Sequence, residues 1–246
     1  MNQHDFSGTF LTHPAFFVVK ALWCLIDWLY PPICAGCGKG GIRWCQECLN
    51  KTILLDSMSL CHICSRPVHN TGICQICINH KPDYDMLRSW GVYQGPLRNA
   101  MHRLKYERDI ALGDTFAIFL IQIYNVYRWP VDIVVPVPLS KKRFNERGYN
   151  QSAYIALPVS LGINKPLSFR ALNRIKETHP QFDLSPAERW QNVNGAFFSN
   201  KKILKGKNVL LIDDISTTGS TINACAKSMK DAGALTVHAL TVSFAL

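Results

Sequence analysis

The sequence predicts an α/β fold, a parallel sheet with flanking helices, preceded by a small module that an apolar core does not hold together. From about residue 83 onward, short uninterrupted apolar runs alternate with helical patterns. Strands that are apolar on both faces belong to parallel sheets covered by helices. Ahead of them, residues 31–82 are rich in cysteine and glycine and short of long apolar runs, so this stretch needs a staple. With 48% hydrophobic and 18% charged residues, the 246-residue chain carries enough apolar material for a core, which excludes a disordered protein.

Three zones follow: an apolar lead helix over 1–30, the cysteine-rich module over 31–82, and the α/β unit over 83–246. The lead segment "AFFVVKALWCLIDWLYPP" (15–32) holds sixteen residues between Pro14 and Pro31, interrupted by Lys20 and Asp27. A bilayer span needs roughly 20, so the segment is read as a helix on the protein's own core. The alternative is an interfacial helix with Trp23, Trp28 and Tyr30 as anchors and a peripheral contact with a membrane surface. The opening "MNQHDFSGTF" lacks the basic start of a secretory signal, and no small-residue cleavage site follows the apolar stretch, so a reducing cytoplasm is expected.

Eight of the ten cysteines form four Cys-x-x-Cys pairs: Cys34/Cys37, Cys45/Cys48, Cys61/Cys64 and Cys74/Cys77. A Cys-x-x-Cys turn points both sulfurs at one ion, and two such knuckles complete a tetrahedral site. The spacing of seven, twelve and nine residues between successive pairs fits two Zn(Cys)₄ ribbons, although interleaved pairing has the same spacing. Four thiolates leave no open position for water, so zinc is structural here. His62, His69 and His80 are surplus to a complete ligand set, while Cys24 and Cys225 fall on apolar helix faces as core thiols.

In the α/β unit, "SWGVYQG" (89–95) reads as a strand ending in a turn and 96–110 as a helix with proline at its first position. An apolar helix over 114–127 begins on Asp114 as its cap. "VDIVVPVP" (131–138) is a buried strand closed by proline. A helix over 150–162 contains Pro158, which should bend or end it. "KKILKGK" (201–207) reads as a loop. "NVLLIDD" (208–214) is a strand, 220–233 a helix stopped by Gly233, and 235–244 a closing strand.

The stretch "VLLIDDISTTGSTINACAKSM" (209–229) carries the chemistry. Ligands of open α/β sheets sit beyond the carboxyl ends of the strands, and Asp213 and Asp214 mark that edge. Paired carboxylates there accept hydrogen bonds from neighbouring hydroxyls such as those of a ribose. The next residues, Ile215 to Thr221, offer hydroxyls and backbone N–H groups at a helix start, which suits a phosphate monoester without any lysine. Neither a Walker loop nor a dinucleotide Gly-x-Gly-x-x-Gly is present.

This combination resembles the phosphoribosyl-pyrophosphate (PRPP) motif of type I phosphoribosyltransferases. The resemblance implies that Asp213 and Asp214 hold the ribose hydroxyls, while Ser216, Thr217, Thr218, Gly219, Ser220 and Thr221 wrap the 5′-phosphate. It also implies Mg²⁺ with PRPP, and a pyrophosphate loop at Pro136, Val137 and Pro138 with Lys141, Arg143 and Arg147 nearby. Residues 172–192 sit where that fold carries a mobile hood, with Arg174, Lys176 and Arg189 as catalytic candidates.

Taken with "YPPICAGCG", "VPVPLSKKRFNERGYNQS" (135–152) and "LNRIKETHPQFDLSPAERWQNVNGAF" (172–197), the chain is similar to the ComF/GntX family. That family joins a zinc ribbon to a phosphoribosyltransferase-like domain and is linked to bacterial competence. The resemblance implies handling of incoming single-stranded DNA at the inner face of the membrane, alongside other competence proteins. Two further readings stand beside it, an active phosphoribosyltransferase on an unidentified acceptor and an adaptor that docks partners through its ribbons.

Charge supports a polyanionic partner. The net charge is +10, and residues 140–210 hold 13 Lys and Arg against 4 Asp and Glu. Lys141, Lys142, Arg143, Arg147, Arg174, Lys176 and Arg189 are the phosphate-contact candidates, with Arg170, Lys201, Lys202, Lys205 and Lys207 in the same stretch. Phe144, Tyr149, Phe182, Trp190, Phe197 and Phe198 are available to stack on unpaired bases.

Overall fold

A computed structural model describes residues 27–28, 31–69, 72–176 and 195–246. Its centre is a four-stranded, all-parallel sheet in the order β1 (Met86–Val92), β6 (Thr236–Phe244), β5 (Asn208–Ser216), β2 (Ile133–Pro136). A separate antiparallel pair joins β3 (Leu172–Arg174) to β4 (Phe197–Ser199). The fold is thus the parallel α/β sheet with a cysteine-rich module ahead of it.

The apolar run of β5 explains its central place. Val209, Leu210, Leu211 and Ile212 are all fully buried, and alternate residues feed two cores, as the period of a strand requires. Leu210 and Ile212 pack with Leu104, Phe116 and Ile155 from helices on one face. Val209 and Leu211 pack with Ile222, Cys225 and Met229 on the other.

The short helices α1 (Gln46–Lys51) and α2 (Gln75–Asn79) belong to the cysteine module. They are followed by α3 (Gly95–Tyr106), α4 (Leu112–Tyr127), α5 (Lys141–Arg147), α6 (Gln151–Gly162), α7 (Lys201–Leu204) and α8 (Ser220–Asp231). Several bounds depart from the sequence reading. Ala111, not Asp114, caps α4, and Asp114 sits within the first turn, where a carboxylate still complements the helix dipole. Residues 201–204 form a helical turn rather than a loop, because the Asn200 side chain accepts from the Lys202 N–H at 3.0 Å and caps it.

Pro158 lies inside α6 instead of ending it. Proline removes the N–H that would bond the carbonyl four residues back, here that of Tyr154. Gly113 of α4 packs onto that carbonyl, and a Cβ at 113 would collide with it. The two helices therefore approach closely where α6 has lost a backbone hydrogen bond.

The cysteine module seals the exposed edge of β1. Leu87 N–H donates to Ile63 O at 2.7 Å, and Val92 N–H to Ile53 O at 2.9 Å. The buried Arg88 donates to His62 O at 2.9 Å and Leu87 O at 2.8 Å. A covered edge cannot template pairing with another chain. Of residues 1–30, only Asp27 and Trp28 are described: Asp27 pairs with Arg43, and Trp28 is exposed. The remaining lead-helix residues, with Cys24, Trp23 and Tyr30, lie outside the described residues. No helix among the described residues is long and apolar enough to cross a membrane.

Candidate functional site

The cysteines resolve into two closed sets, Cys34, Cys37, Cys45 and Cys48, and Cys61, Cys64, Cys74 and Cys77, each with all sulfurs within 4.8 Å of one another. Pairing is sequential, not interleaved. A tetrahedral zinc with Zn–S near 2.3 Å requires sulfurs about 3.8 Å apart. Cys34 and Cys48 are 3.5 Å apart, Cys37 and Cys45 3.7 Å, and Cys64 and Cys74 3.6 Å. The residues therefore fit the ion. Backbone N–H groups point at the sulfurs, from Cys45 to Cys34 Sγ at 3.4 Å and from Cys74 to Cys61 Sγ at 3.3 Å, which stabilises thiolate charge. The metal is structural zinc, since each set supplies four ligands and leaves no position for substrate. Cys225 is fully buried on α8 and its thiol is pushed well up by burial, as a core residue's would be.

The two loops of interest leave the same end of the sheet. Pro136 is in register with Ile212, and Val137 N–H donates to Ile212 O at 2.9 Å, so the turn after β2 and the end of β5 are neighbours. The Asn150 amide donates to Val137 O at 2.9 Å, and the Ser140 hydroxyl accepts from Arg143 N–H at 3.3 Å. The turn carrying Pro136, Val137 and Pro138 is thereby pinned to the starts of α5 and α6.

Strand β5 runs two residues beyond its expected end, to Ser216, and its last residues pair with β6. Asp213 and Asp214 consequently sit within the sheet, 7% and 3% exposed, and each already has a donor. The Ser152 hydroxyl, from the first turn of α6, donates to Asp213 Oδ1 at 2.8 Å. Lys105 Nζ, near the end of α3, lies 2.7 Å from Asp214 Oδ2.

The acids differ in character for this reason. Burial, with the neighbouring Asp214 charge, pushes the Asp213 carboxyl up to about 8. Burial pushes Asp214 up as well, but the charge and hydrogen bond of Lys105 outweigh it and hold that carboxyl below the usual range. The pair therefore shares one negative charge near neutral pH.

The loop after β5 turns on Gly219, whose φ of +78° favours glycine. Thr218 and Ser220 hydroxyls are 3.0 Å apart, and Ser220 N–H donates to Thr218 Oγ1 at 3.3 Å. Ser216 Oγ is buried and makes no hydrogen bond within the protein. Thr217 and Thr221 are half-buried.

The cationic candidates occupy several places. Lys141 and Lys142 are exposed on α5, with Arg143 and Arg147 half-buried on the same helix. Arg147 lies 5.3 Å over the Tyr106 ring and contacts Gln151, and its charge reaches Asp214. Arg174 lies 5.6 Å over the Phe197 ring on the β3–β4 pair, with Lys176 exposed just beyond. Arg170, Lys201, Lys202, Lys205 and Lys207 are exposed. Arg189, Phe182 and Trp190 lie outside the described residues. Of the proposed stacking aromatics, Phe144 and Phe198 are exposed whereas Tyr149 and Phe197 are buried. The latter two are fixed in the core and present no free ring face.

Lys105 and Ser152 were not singled out from the sequence. Lys105 follows Leu97, Met101 and Leu104, which are all fully buried. Lying four residues after Met101, it falls on the apolar stripe of α3, and a lysine there needs an anionic partner. That signal was readable; the partner's identity was not.

Comparison with known proteins matches two families to separate parts of the chain. A double zinc ribbon domain family matches residues 25–78, and a phosphoribosyl transferase domain family matches residues 151–245. The DNA utilization protein YhgH of Salmonella typhi is 30% identical over 187 residues, covering 74% of this chain and 82% of that protein. Competence protein F of Haemophilus influenzae is 30% identical over 167 residues, 65% of this chain and 73% of the relative. Competence protein ComFC of Bacillus subtilis is 27% identical over 197 residues, 77% and 78% of the two chains.

Proposed function

This chain belongs to the ComF family of competence and DNA-utilization proteins, and from that premise we propose that it binds PRPP and handles incoming single-stranded DNA during DNA uptake. The supporting observation is the meeting, at one end of the sheet, of the turn after β2 with the hydroxyl-rich loop after β5. The Asp213–Asp214 pair lies at the base of that second loop.

In this reading the ribose 2′- and 3′-hydroxyls donate to Asp213 and Asp214, taking over from the Ser152 hydroxyl and the Lys105 ammonium. Sugar binding therefore requires Lys105 to move. The 5′-phosphate accepts from Ser216 Oγ, the one hydroxyl of the loop found buried without a partner, and from the first N–H groups of α8. Lys141, Arg143 and Arg147 follow the turn after β2 and face the pyrophosphate, to which Mg²⁺ brought with the ligand would supply further charge neutralisation. The basic stretch 140–210 supplies the phosphate contacts for a strand, and the site of action is the cytoplasmic side of the inner membrane.

The test is thermal unfolding of the zinc-loaded protein with millimolar PRPP and Mg²⁺. At about 100 times Kd a ligand adds roughly 2.7 kcal/mol, which raises the Tm of a chain this size by about 5–10 °C. The Asp213→Asn, Asp214→Asn double variant, compared with and without ligand, is expected to show no rise. Absence of a rise in the parent protein would overturn the sugar-phosphate reading. Pyrophosphate release that depends on an added acceptor would extend it to phosphoribosyl transfer.

A further inference from the structure

Seven aromatic side chains are exposed among the described residues, and three of them, Phe144, Tyr154 and Phe169, line a single cleft. The cleft has a volume of about 510 Å³, within the range of small-molecule sites. It lies where the turn after β2 meets α5 and the first turns of α6, and Phe169 and Leu172 also line it.

The rings are not frayed core. Phe144 is 49%, Tyr154 39% and Phe169 58% exposed, so each spends apolar area on solvent. Tyr154 is braced edge-on by Tyr149, with ring centres 5.7 Å apart at 84°. Tyr149 is itself buried and anchored by its hydroxyl to Leu104 O. This wall is built before anything binds, which lowers the ordering cost of a ligand. Asn145 and Lys141 also line the cleft, both exposed, and offer an amide and a cation.

The occupant this chemistry fits is planar, has a π face, carries polar edges and is attached to negative charge. An unpaired nucleobase has all four properties, and aromatic platforms beside a basic track are how single strands are held. Lys142 and Arg143 continue the positive collar along α5, which favours a base within a strand over a free base. Resting on the single-strand reading above, we propose that this cleft seats one unpaired base of the bound strand against Phe144, Tyr154 and Phe169.

The experiment is fluorescence anisotropy of a labelled oligothymidylate of about 15 nucleotides, a length on the order of one single-strand site, with full-length zinc-loaded protein over a salt series. Phe144→Ala with Phe169→Ala is expected to weaken binding roughly tenfold at every salt concentration, leaving the salt slope unchanged. An abasic strand of equal length should bind the parent and this variant alike. Both side chains are about half exposed, so the variant should keep the parent's Tm, which checks that it folds. Equal affinity of parent and variant for oligothymidylate overturns the cleft alone. An equal loss on the abasic strand also overturns it, because the rings would then act only by holding α5 in place. Thymidine monophosphate binding the parent as tightly as the strand assigns the cleft to a free nucleotide instead. If no strand binds even at low salt, the single-strand reading fails and the cleft's role fails with it.

Discussion

At the residue scale, the acid pair makes the protein's stability depend on pH in a specific direction. The folded state keeps a proton on Asp213 up to about pH 8, whereas a free carboxyl releases it near 3.8. Stability contributed through this group is therefore highest at low pH and declines as pH rises between those two values. Asp214 has the opposite sign: its lowered value favours folding above 3.8 and loses that benefit as pH falls below it. Between pH 5.5 and 8.5 the parent is expected to lose roughly 3 kcal/mol more than Asp213→Asn, measured from urea midpoints. Parallel pH profiles for the two proteins would show that Asp213 is already ionised in the fold. The same geometry assigns Lys105 its role. Its ammonium keeps one carboxylate charged inside the protein, and removing one partner of such a pair costs about 3–5 kcal/mol.

At the scale of elements, the α4–α6 contact turns on two glycines with different neighbours. A Cβ at Gly113 meets the Tyr154 backbone carbonyl, which cannot yield without bending α6. A Cβ at Gly162 meets Ile121 Cδ1, the far end of a side chain that can rotate. Gly113→Ala should therefore destabilise by about 1–3 kcal/mol. Gly162→Ala should lie within about 1 kcal/mol of the parent, because helix propensity offsets the repacking. Chemical denaturation of both variants checks the difference, and equal costs would show that α6 adjusts freely at Pro158. A proline in a helical pattern read in isolation predicts a break. Here the helix continues through the proline, and Gly113 of α4 packs on the Tyr154 carbonyl that the proline leaves without its helical donor.

At the scale of the whole molecule, the zinc ribbons are built into the main core. Trp44 lies edge-on to Trp90 of β1 and Phe116 of α4, with ring centres 6.3 and 5.7 Å away. Cys34, Cys45 and Cys48 share that core. Gly36 of the first knuckle is pressed between Cys48 and Pro96 at the start of α3, and Asn99 donates to Gly36 O at 3.0 Å. Losing the first zinc should thus weaken the sheet as well as the module. Elemental analysis is expected to give two zinc ions per chain. Cys48→Ser should retain about one, with a Tm lowered by at least about 5 °C in a single cooperative transition. A separate early transition that left the main unfolding unchanged would mean the ribbon melts independently.

Much of this architecture was legible in the chain itself because it rests on local rules. Unbroken apolar runs specify buried parallel strands, regular Cys-x-x-Cys spacing specifies two metal sites, and acids followed by small hydroxyl residues and a glycine mark the turn from β5 into α8. The donors that greet those acids come from positions 105 and 152, more than 60 residues away along the chain, and no periodicity announces such a meeting. The same holds for sequential cysteine pairing, for the passage of α6 through Pro158, and for the gathering of Phe144, Tyr154 and Phe169 around one hollow. Local sequence determined which segments are strands, helices and knuckles, since backbone propensity and burial act over a few residues. Which side chains meet was decided only by tertiary packing, because a buried charge or an exposed ring takes its partners from whatever the fold brings within a few ångströms.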